Sequence, residues 1–287
     1  MNSIVIARYK EDLAWVLKIP SDFEIFIYNK GDAIVDPRIL EKADHVIDRP
    51  NAGRESETYL HHMLTHRRTD RDFTVFCQGD PFEHSPDFLE LLASWNLWPD
   101  LQPLTWQWRG EANVPPAVVL EDYERHLGGR LRVRAERFSL STWGPLDFID
   151  TGALRTSIDY RAFHGNLPEG TNIAAHFLRM AGLNDLAAQA SVHAMGIFCY
   201  GAMFAVRNHL VAQLPSESIA IMIQASKGLP VYGYVLERMW LHFFGASFEL
   251  LRVPLASHGA DQRSQSPAAG DAQRGLSSGR VLAAGAV

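Results

Sequence analysis

Cysteine, lysine and long apolar stretches are scarce in this 287-residue chain. Its 2 cysteines, Cys77 and Cys199, lie far apart in apolar surroundings, which excludes a disulfide-rich domain and a zinc site built on paired cysteines. The longest uncharged apolar stretch, residues 194–206, has 13 residues, whereas a helix needs about 20 to cross a bilayer. We therefore expect a soluble protein without a membrane span, and a reducing, cytoplasmic location.

Positive charge is also in short supply. Lysine and arginine together number 27 against 33 aspartate and glutamate residues, which leaves a formal net charge of −6. A broad positive field that could hold nucleic acid is therefore absent, and we expect no nucleic-acid partner. Only 5 of the 27 basic residues are lysine. The arginine excess suits contacts with phosphates and carboxylates, but a GC-rich genome would produce the same bias.

The remaining composition is that of a globular chain, with 47% hydrophobic residues. Strand-like apolar runs alternate with helical stretches near the start, an order typical of a mainly parallel sheet covered on both faces. The predicted strands lie at residues 3–7, 23–28, 45–48 and 72–77, and the predicted helices include residues 11–17, 54–66, 87–93, 173–181, 217–226 and 231–244. This pattern predicts an α/β fold with a single, mainly parallel but mixed sheet flanked by helices, similar to a Rossmann fold.

Two regions lack this alternation. Residues 81–140 contain four tryptophans among prolines, namely Trp95, Trp98, Trp106 and Trp108. Such aromatics can line a sugar or base site but more often fill a core beneath long loops, and we favour the core interpretation. Residues 255–287 contain no aromatic residue, and 18 of these 33 are Ala, Gly or Ser. We therefore predict an α/β domain at residues 1–254 and a flexible, disordered tail at residues 255–287.

Polar clusters follow three of the predicted strands. They are Arg8-Tyr9 after the first strand, Asn51-Ala52-Gly53-Arg54-Glu55 after the third, and Gln78-Gly79-Asp80 after the fourth. Each cluster has a structural explanation as turn or cap residues. However, ligands of doubly wound sheets bind outside the carboxyl ends of the strands, where all three clusters would meet. We therefore predict a ligand site at this edge, with Arg54 at a helix N-terminus suited to a phosphate.

Candidate metal ligands lie just after the fourth strand. Asp80, Glu83 and His84 offer two carboxylates and an imidazole, which suit Mg²⁺ or Mn²⁺ when phosphate oxygens complete the shell. The structural alternative is a solvated acidic loop. His62 and His66 have the spacing of two ligands on one helix face, but no glutamate completes a metalloprotease pattern.

The last predicted helix contains an acid and a base, Glu237 and Arg238. They interrupt an apolar stripe formed by Val235, Leu236, Met239 and Trp240. A carboxylate beside such a stripe needs a partner or acquires a raised pKa, which suits a general base. The alternative is an ion pair, between Glu237 and Arg238 or with a more distant charge, that only orients the helix.

Several motifs resemble those of a fungal and bacterial family known as a domain of unknown function. They are the opening segment at residues 4–15, the pattern Asn51-x-Gly53-Arg54-Glu55-x-x-Thr58-Tyr59-Leu60, the segment Phe76-x-Gln78-Gly79, residues 201–206, and Glu237-Arg238-x-Trp240. These motifs lie in order between residues 4 and 245, so the resemblance covers most of the chain. The family has no assigned activity.

A more distant resemblance is to glycosyltransferases of the GT-A type. In these enzymes an Asn-x-Gly turn opens a helix, and the next strand ends at an Asp-x-Asp motif that holds a metal ion and the diphosphate of a nucleotide sugar. Residues 51–53, the helix after them and the strand at residues 73–77 follow that order, with Gln78-Gly79-Asp80 in the place of Asp-x-Asp. The chain departs from the pattern at Gln78, where the first aspartate should stand, and this puts metal dependence in question.

The GT-A resemblance implies transfer of a sugar from a nucleotide-sugar donor to a hydroxyl of a small-molecule or glycan acceptor. In that mechanism the donor would be held by Arg8, Tyr9, Asn51, Gly53, Arg54 and Gln78. Asp80, with His84, would bind Mg²⁺ or Mn²⁺ and stabilise the departing charge, and Glu237 would be the catalytic base. Two alternatives stay open: a metal-dependent hydrolase or other phosphoryl-handling enzyme, and a non-catalytic carbohydrate- or protein-binding relative. The donor, the acceptor, the stereochemical outcome and the oligomeric state are left open by the sequence.

Overall fold

The computed structural model describes residues 1–105 and 133–251 of the chain. The strands in these ranges are β1 (Asn2–Arg8), β2 (Phe23–Asn29), β3 (His45–Asp48), β4 (Phe73–Gln78), β5 (Leu101–Pro103), β6 (Glu136–Ser139), β7 (His193–Phe198), β8 (Phe204–Arg207) and β9 (Glu249–Leu251). The α-helices are α1 (Pro37–Lys42), α2 (Arg54–Thr65), α3 (Phe88–Ala93), α4 (Thr151–Phe163), α5 (Ile173–Met180), α6 (Asn184–Ser191), α7 (Asn208–Val211), α8 (Ser216–Gly228) and α9 (Val231–Phe243). Short 3₁₀ helices lie at Ala14–Lys18, Trp95–Leu97 and Tyr200–Ala202. The predicted tail, Trp106 and Trp108 lie outside the described residues.

The main sheet has six strands in the order β3-β2-β1-β4-β8-β5. The first four run parallel, whereas β8 is antiparallel to both of its neighbours. This confirms the predicted mainly parallel, mixed α/β sheet. The register places Ala7 beside Gln78 and Arg8 beside Asn29, so β1, β2 and β4 end together at one edge.

Alternation along β1 explains why the sheet is covered on both faces. Ile4 and Ile6 point into one hydrophobic cluster, which the 3₁₀ helix Ala14–Lys18 and α3 cover. Val5 points into the other cluster, which contains Tyr59 of α2 and Trp240 of α9. Each fully buried aliphatic or aromatic side chain contributes about 1.5–3 kcal/mol. The near-continuous apolar sequence of the strands is what burial on two faces requires.

Several local elements differ from the predictions. The helix predicted at residues 11–17 is a 3₁₀ helix that begins only at Ala14. Glu11 instead accepts from the backbone N–H groups of Tyr9 and Lys10, and Asp12 accepts from the N–H of Ala14 at the helix start. A second, three-stranded antiparallel sheet in the order β6-β7-β9 adds to the expected single sheet. Helices α1, α4 and α6 were also not predicted. Trp98 is buried against Phe73, which agrees with the core interpretation of that tryptophan.

Within residues 1–105 and 133–251, helices fall short of the length and apolar character needed to cross a membrane.

Candidate functional site

A cleft of about 200 Å³ opens at the edge where β1, β2 and β4 end. Its walls come from the ends of β1 and β4, from the loops after β1, β2 and β3, and from the first turn of α2. The lining residues are Ala7, Arg8, Tyr9, Glu11, Lys30, Asn51, Arg54, Glu55 and Gln78. The structure therefore brings five of the predicted site residues together: Arg8, Tyr9, Asn51, Arg54 and Gln78.

Arg8 serves mainly to tie the cleft walls together. Its Nη1 donates to Asn29 Oδ1 and to the Asp32 carbonyl, both at 2.6 Å, and its Nε donates to the Glu11 carbonyl at 3.2 Å. Glu11 in turn accepts hydrogen bonds from the backbone N–H groups of Tyr9 and Lys10. The Arg8 guanidinium is thus largely engaged by the protein itself.

Lys30, which was not among the predicted site residues, supports the loop before α2. Its side chain is only 4% exposed, and its ammonium donates to the carbonyls of Ala52 and Arg54 at 2.7 and 2.6 Å. It also forms an ion pair with the buried Glu57 at 2.9 Å. Burial lowers the pKa of Lys30, and the paired Glu57 offsets only part of that effect. The sequence feature that could have indicated Lys30 is its place directly after a predicted strand, in a chain with only 5 lysines.

Glu57 is the centre of this buried charge cluster. Besides Lys30, it contacts Arg49 and the ammonium of Lys227. Burial alone would raise the pKa of Glu57, but hydrogen bonds and charge from Lys30 and Arg49 outweigh it, so the pKa is lowered. The cluster fixes the backbone that leads into α2, and it places Arg54 at the mouth of the cleft.

Arg54 is the cation that this arrangement leaves available. It follows Gly53, whose φ of +65° suits glycine, and it has a positive φ of +51° itself. Its guanidinium lies 5.0 Å from the centre of the Tyr234 ring. Among the described residues the Arg54 guanidinium has no hydrogen-bond or ion-pair partner, in contrast to that of Arg8. An exposed guanidinium at the N-terminal end of a helix is well suited to an anionic ligand.

Glu55 lines the cleft beside Arg54 and interacts electrostatically with Glu237 of α9. The two helices approach along this stretch: the Arg54 side chain lies against Gly233 and Tyr234, and Tyr59 packs on Trp240 with ring centres 5.7 Å apart. Burial raises the pKa of Glu55, and repulsion from Glu237 raises it further. Glu55 belongs to one of the sequence motifs, but no role was predicted for it.

Glu237 lies behind the cleft wall rather than in it. Its Oε1 accepts from the Gly201 N–H at 2.9 Å, while the Gly201 carbonyl accepts from Gln78 Nε2 at 2.7 Å. Burial raises the pKa of Glu237, as predicted, and the neighbouring Arg238 only partly opposes that shift.

The predicted Glu237–Arg238 ion pair is also present. Arg238 Nη1 lies 3.2 Å from Glu237 Oε2. The fully buried Arg238 also binds Asp150 at 2.7 Å and stacks on Phe198. The two interpretations offered by the sequence, a carboxyl with a raised pKa and an orienting ion pair, are therefore both found at Glu237.

Asp80 and His84 are not among the residues that line the cleft. Asp80 is exposed, and its Oδ1 accepts from the Phe82 N–H at 3.1 Å within its own turn. The His84 ring meets Tyr200 edge-on at 4.8 Å and lies so close to Gly201 that a Cβ there would be 2.5 Å away. In the described ranges, no three His, Cys, Asp or Glu residues are grouped as metal ligands. The donor set therefore does not fit a self-sufficient Mg²⁺ or Mn²⁺ site, and metal binding by Asp80 and His84 stays a prediction.

His62 and His66 lie at the opposite end of α2. Their rings stack with centres 4.7 Å apart beside a second cavity of about 340 Å³. His62 Nδ1 is hydrogen-bonded to Tyr28 Oη at 3.0 Å. Burial lowers the pKa of His62 to about 3, and nearby imidazoles add to the shift. His62 is therefore buried as a neutral imidazole.

Comparison with known proteins adds no assignment: no protein-family model matches the chain, and no curated protein matches it. The resemblances drawn from the motifs accordingly stay predictions. The geometry of the cleft is what supports a function.

Proposed function

We propose that the chain is a glycosyltransferase-like enzyme that moves a sugar from a nucleotide-sugar donor to a hydroxyl acceptor. One observation carries the proposal. A single cleft at the carboxyl edge of the sheet pairs the available guanidinium of Arg54 with Glu55, a carboxyl of raised pKa. Group transfer from a diphosphate needs both an anion-binding cation and a proton acceptor.

Arg54 would hold the diphosphate of the donor. Negative charge grows on the diphosphate as its bond to the sugar breaks, and a guanidinium at a helix N-terminus stabilises that charge. The cleft is smaller than the roughly 300–1,000 Å³ typical of small-molecule sites. It therefore fits the diphosphate end of the donor better than a whole nucleotide sugar. Tyr9, 43% exposed at the rim, offers a ring for stacking.

The two carboxyls would manage the proton. As the acceptor oxygen forms its bond to the anomeric carbon, the bond from that carbon to the diphosphate breaks, and the hydroxyl proton moves to a carboxylate. Two carboxyls line the cleft, and that of Glu11 already accepts hydrogen bonds from the backbone of Tyr9 and Lys10, which leaves Glu55 as the proton acceptor. Burial raises the pKa of Glu55, and like-charge repulsion from Glu237 raises it further. The base predicted at Glu237 thus works in this proposal as one member of a Glu55–Glu237 pair.

A divalent metal, if bound, would neutralise diphosphate charge, and Asp80 is the predicted carboxylate ligand. The steps assigned to Arg54 and Glu55 do not depend on it. The second candidate, a non-catalytic binding relative, is favoured by Gln78. At the position of Gln78 the GT-A pattern has a metal-binding aspartate, whereas the Gln78 amide donates a hydrogen bond to the Gly201 carbonyl.

Isothermal titration of the full-length chain with UDP-, GDP- and dTDP-sugars, with and without Mn²⁺, tests the proposal. We expect binding of at least one donor and an affinity about tenfold lower in Arg54→Met, because the charge-assisted contact is lost. Arg38→Met, which removes an exposed arginine of α1, is the matched control. Failure of every donor to bind, in both metal conditions, would contradict the proposal.

Turnover distinguishes the two candidates. Release of nucleoside diphosphate from a bound donor should fall by about 100-fold or more in Glu55→Gln, with donor affinity retained. Binding without any release, in the wild type and with a panel of hydroxyl acceptors, would favour the non-catalytic relative.

A further inference from the structure

Helix α4 exposes large apolar side chains to solvent, although a helix that only covers a core would bury them. Its buried positions hold small or polar-tipped residues, namely Ala153, Thr156, Ser157 and Tyr160. Its exposed positions include Leu154, Ile158 and Phe163, with exposed fractions of 44%, 58% and 57%. A surface helix normally shows the reverse distribution.

The loop before α4 extends this surface. Leu146 is 46% exposed and Ile149 is 79% exposed. Together with Leu154 and Ile158, which lie one helical turn apart, they form what we call the α4 face, whereas Phe163 lies half a turn around the helix from Leu154. Single exposed apolar residues are ordinary, but four large ones within 13 positions mark an interaction surface.

We propose that the α4 face binds the same face of a second copy of this chain, with the two α4 helices antiparallel about a two-fold axis. The charges on the helix carry this choice of partner. Arg155 and Asp159 form an exposed ion pair at 2.9 Å, one turn apart. Antiparallel pairing sets Arg155 opposite Asp159 of the second copy and Leu154 beside its Ile158. The face is thus complementary to itself, as a two-fold interface must be.

The other charges around the face argue against a polyanion or an acidic membrane as the partner. Asp147 is paired with Arg134, and Asp150 is paired with the buried Arg238. Positive and negative groups are therefore balanced, and no excess of cations faces outward from α4 and its preceding loop. Steering toward a partner of one charge sign would need such an excess.

The area of the α4 face determines how tightly the dimer is expected to bind. A helix of 13 residues is about 20 Å long, and one such face with a flanking loop supplies less than the roughly 800 Å² per partner of a standard stable interface. We therefore expect a reversible dimer with a dissociation constant in the micromolar range. This inference is independent of the proposed enzymatic function.

Sedimentation velocity of the full-length chain, over a concentration series from about 1 to 200 μM, tests the dimer. The wild type should change reversibly from monomer to dimer across this range. Ile158→Glu should weaken the dimer by at least about tenfold without lowering the melting temperature, because the residue is exposed in the monomer. Val35→Glu, at an 86% exposed apolar position outside α4, should have no effect on the dimer.

Charge reversal tests the orientation. Arg155→Asp alone should weaken the dimer, and the double variant Arg155→Asp/Asp159→Arg should recover it. In oxidising conditions Ile158→Cys should form an intermolecular disulfide close to the two-fold axis, since the native Cys77 and Cys199 are buried, and Val35→Cys should not.

A wild type that stays monomeric at the highest concentration overturns the inference, as does a dimer unaffected by Ile158→Glu. A monomeric wild type whose melting temperature falls on Ile158→Glu would overturn it too, since another part of the same chain would then cover the α4 face.

Discussion

Gln78 and Glu237 bind the same residue from opposite sides. The Gln78 amide donates to the carbonyl of Gly201, and the Glu237 carboxylate accepts from its N–H group. One residue from the loop between β7 and β8 thus joins the cleft wall to the acid behind it. Gly201 has a φ of +74°, and a Cβ there would meet the His84 ring, so this junction requires glycine. The same contact gives Gln78 a role as a donor that an aspartate could not perform.

Replacing Gln78 by glutamate tests that role. The change keeps the length of the side chain but sets a carboxylate against the Gly201 carbonyl in place of an N–H donor. We expect the free energy of unfolding to fall by about 1–3 kcal/mol, measured by urea denaturation. Gln189→Glu, at an exposed position on α6, is the control and should change stability little. Equal stability of Gln78→Glu and the wild type would show that the contact contributes nothing.

The buried lysine should be a large contributor to stability. Lys30→Met removes the ammonium that binds two carbonyls and Glu57, leaving that buried carboxylate with fewer cations. We expect a loss of about 3–5 kcal/mol in the free energy of unfolding. Lys10→Met, at an exposed position of the adjoining loop, should cost less than about 0.5 kcal/mol. A Lys30→Met variant no less stable than Lys10→Met would contradict the role given to Lys30.

Comparing Gly53→Ala with Gly170→Ala separates the steric clash of an added Cβ from the conformational cost of a positive φ. Gly53 has a φ of +65°, and an added Cβ would lie 2.6 Å from the Cβ of Glu57. Gly170 has a φ of +82° with open space around it, so Gly170→Ala carries the conformational cost alone. We expect a loss of about 1 kcal/mol at Gly170 and clearly more at Gly53. Thermal denaturation of both variants measures the difference, and equal losses would rule out a steric role.

Acid should destabilise the fold through its buried histidines. Burial lowers the pKa of His62 to about 3 and that of His242 to about 4, against an ordinary value of 6.5. As the pH falls below 6.5 the unfolded chain therefore takes up protons before the folded one, and the free energy of unfolding decreases. Each histidine should cost about 2 kcal/mol between pH 6.5 and 4.5.

Urea denaturation across that pH range measures the effect. Glu55 and Glu237 act in the opposite direction, because their raised pKa values let the folded protein take up protons first. The informative quantity is therefore the change in slope caused by His62→Gln. The variant should reduce the pH dependence by about 2 kcal/mol over the range, and His193→Gln serves as the control. An unchanged slope in His62→Gln would contradict burial of a neutral imidazole.

The sheet and its ligand edge could be predicted because their signals are local. The apolar runs that form β1, β2 and β4 need burial on two faces, and residues that follow parallel strands must meet at one edge. Arg8, Arg54 and Gln78 were accordingly predicted to meet at this edge, and they line one cleft. The engagement of Arg8 by Asn29 and Asp32 could not be predicted, since it depends on how two loops meet in space.

Tertiary packing also explains what was missed. The buried residues of α4 are small or polar-tipped while its apolar residues are exposed, so its sequence lacks the usual core-facing stripe. The position of Glu237 behind the cleft depends on Gly201, which lies in another part of the chain. The Asp80 turn binds its own backbone, an outcome that the sequence offered as the solvated-loop alternative.

The antiparallel strand β8 has a consequence for the order in which the molecule is built. The four parallel strands lie within residues 1–78, whereas Gly201, which contacts Gln78, is 123 positions further along the chain. During synthesis the backbone groups along one edge of β4, an apolar strand, therefore stay unpaired until β8 has been made and pairs with it. The contacts of Gly201 and Glu237 behind the cleft wall form last, because loop closure over so long a segment must precede them. A nascent chain that stalls before residue 200 would present β4 as a template for aggregation.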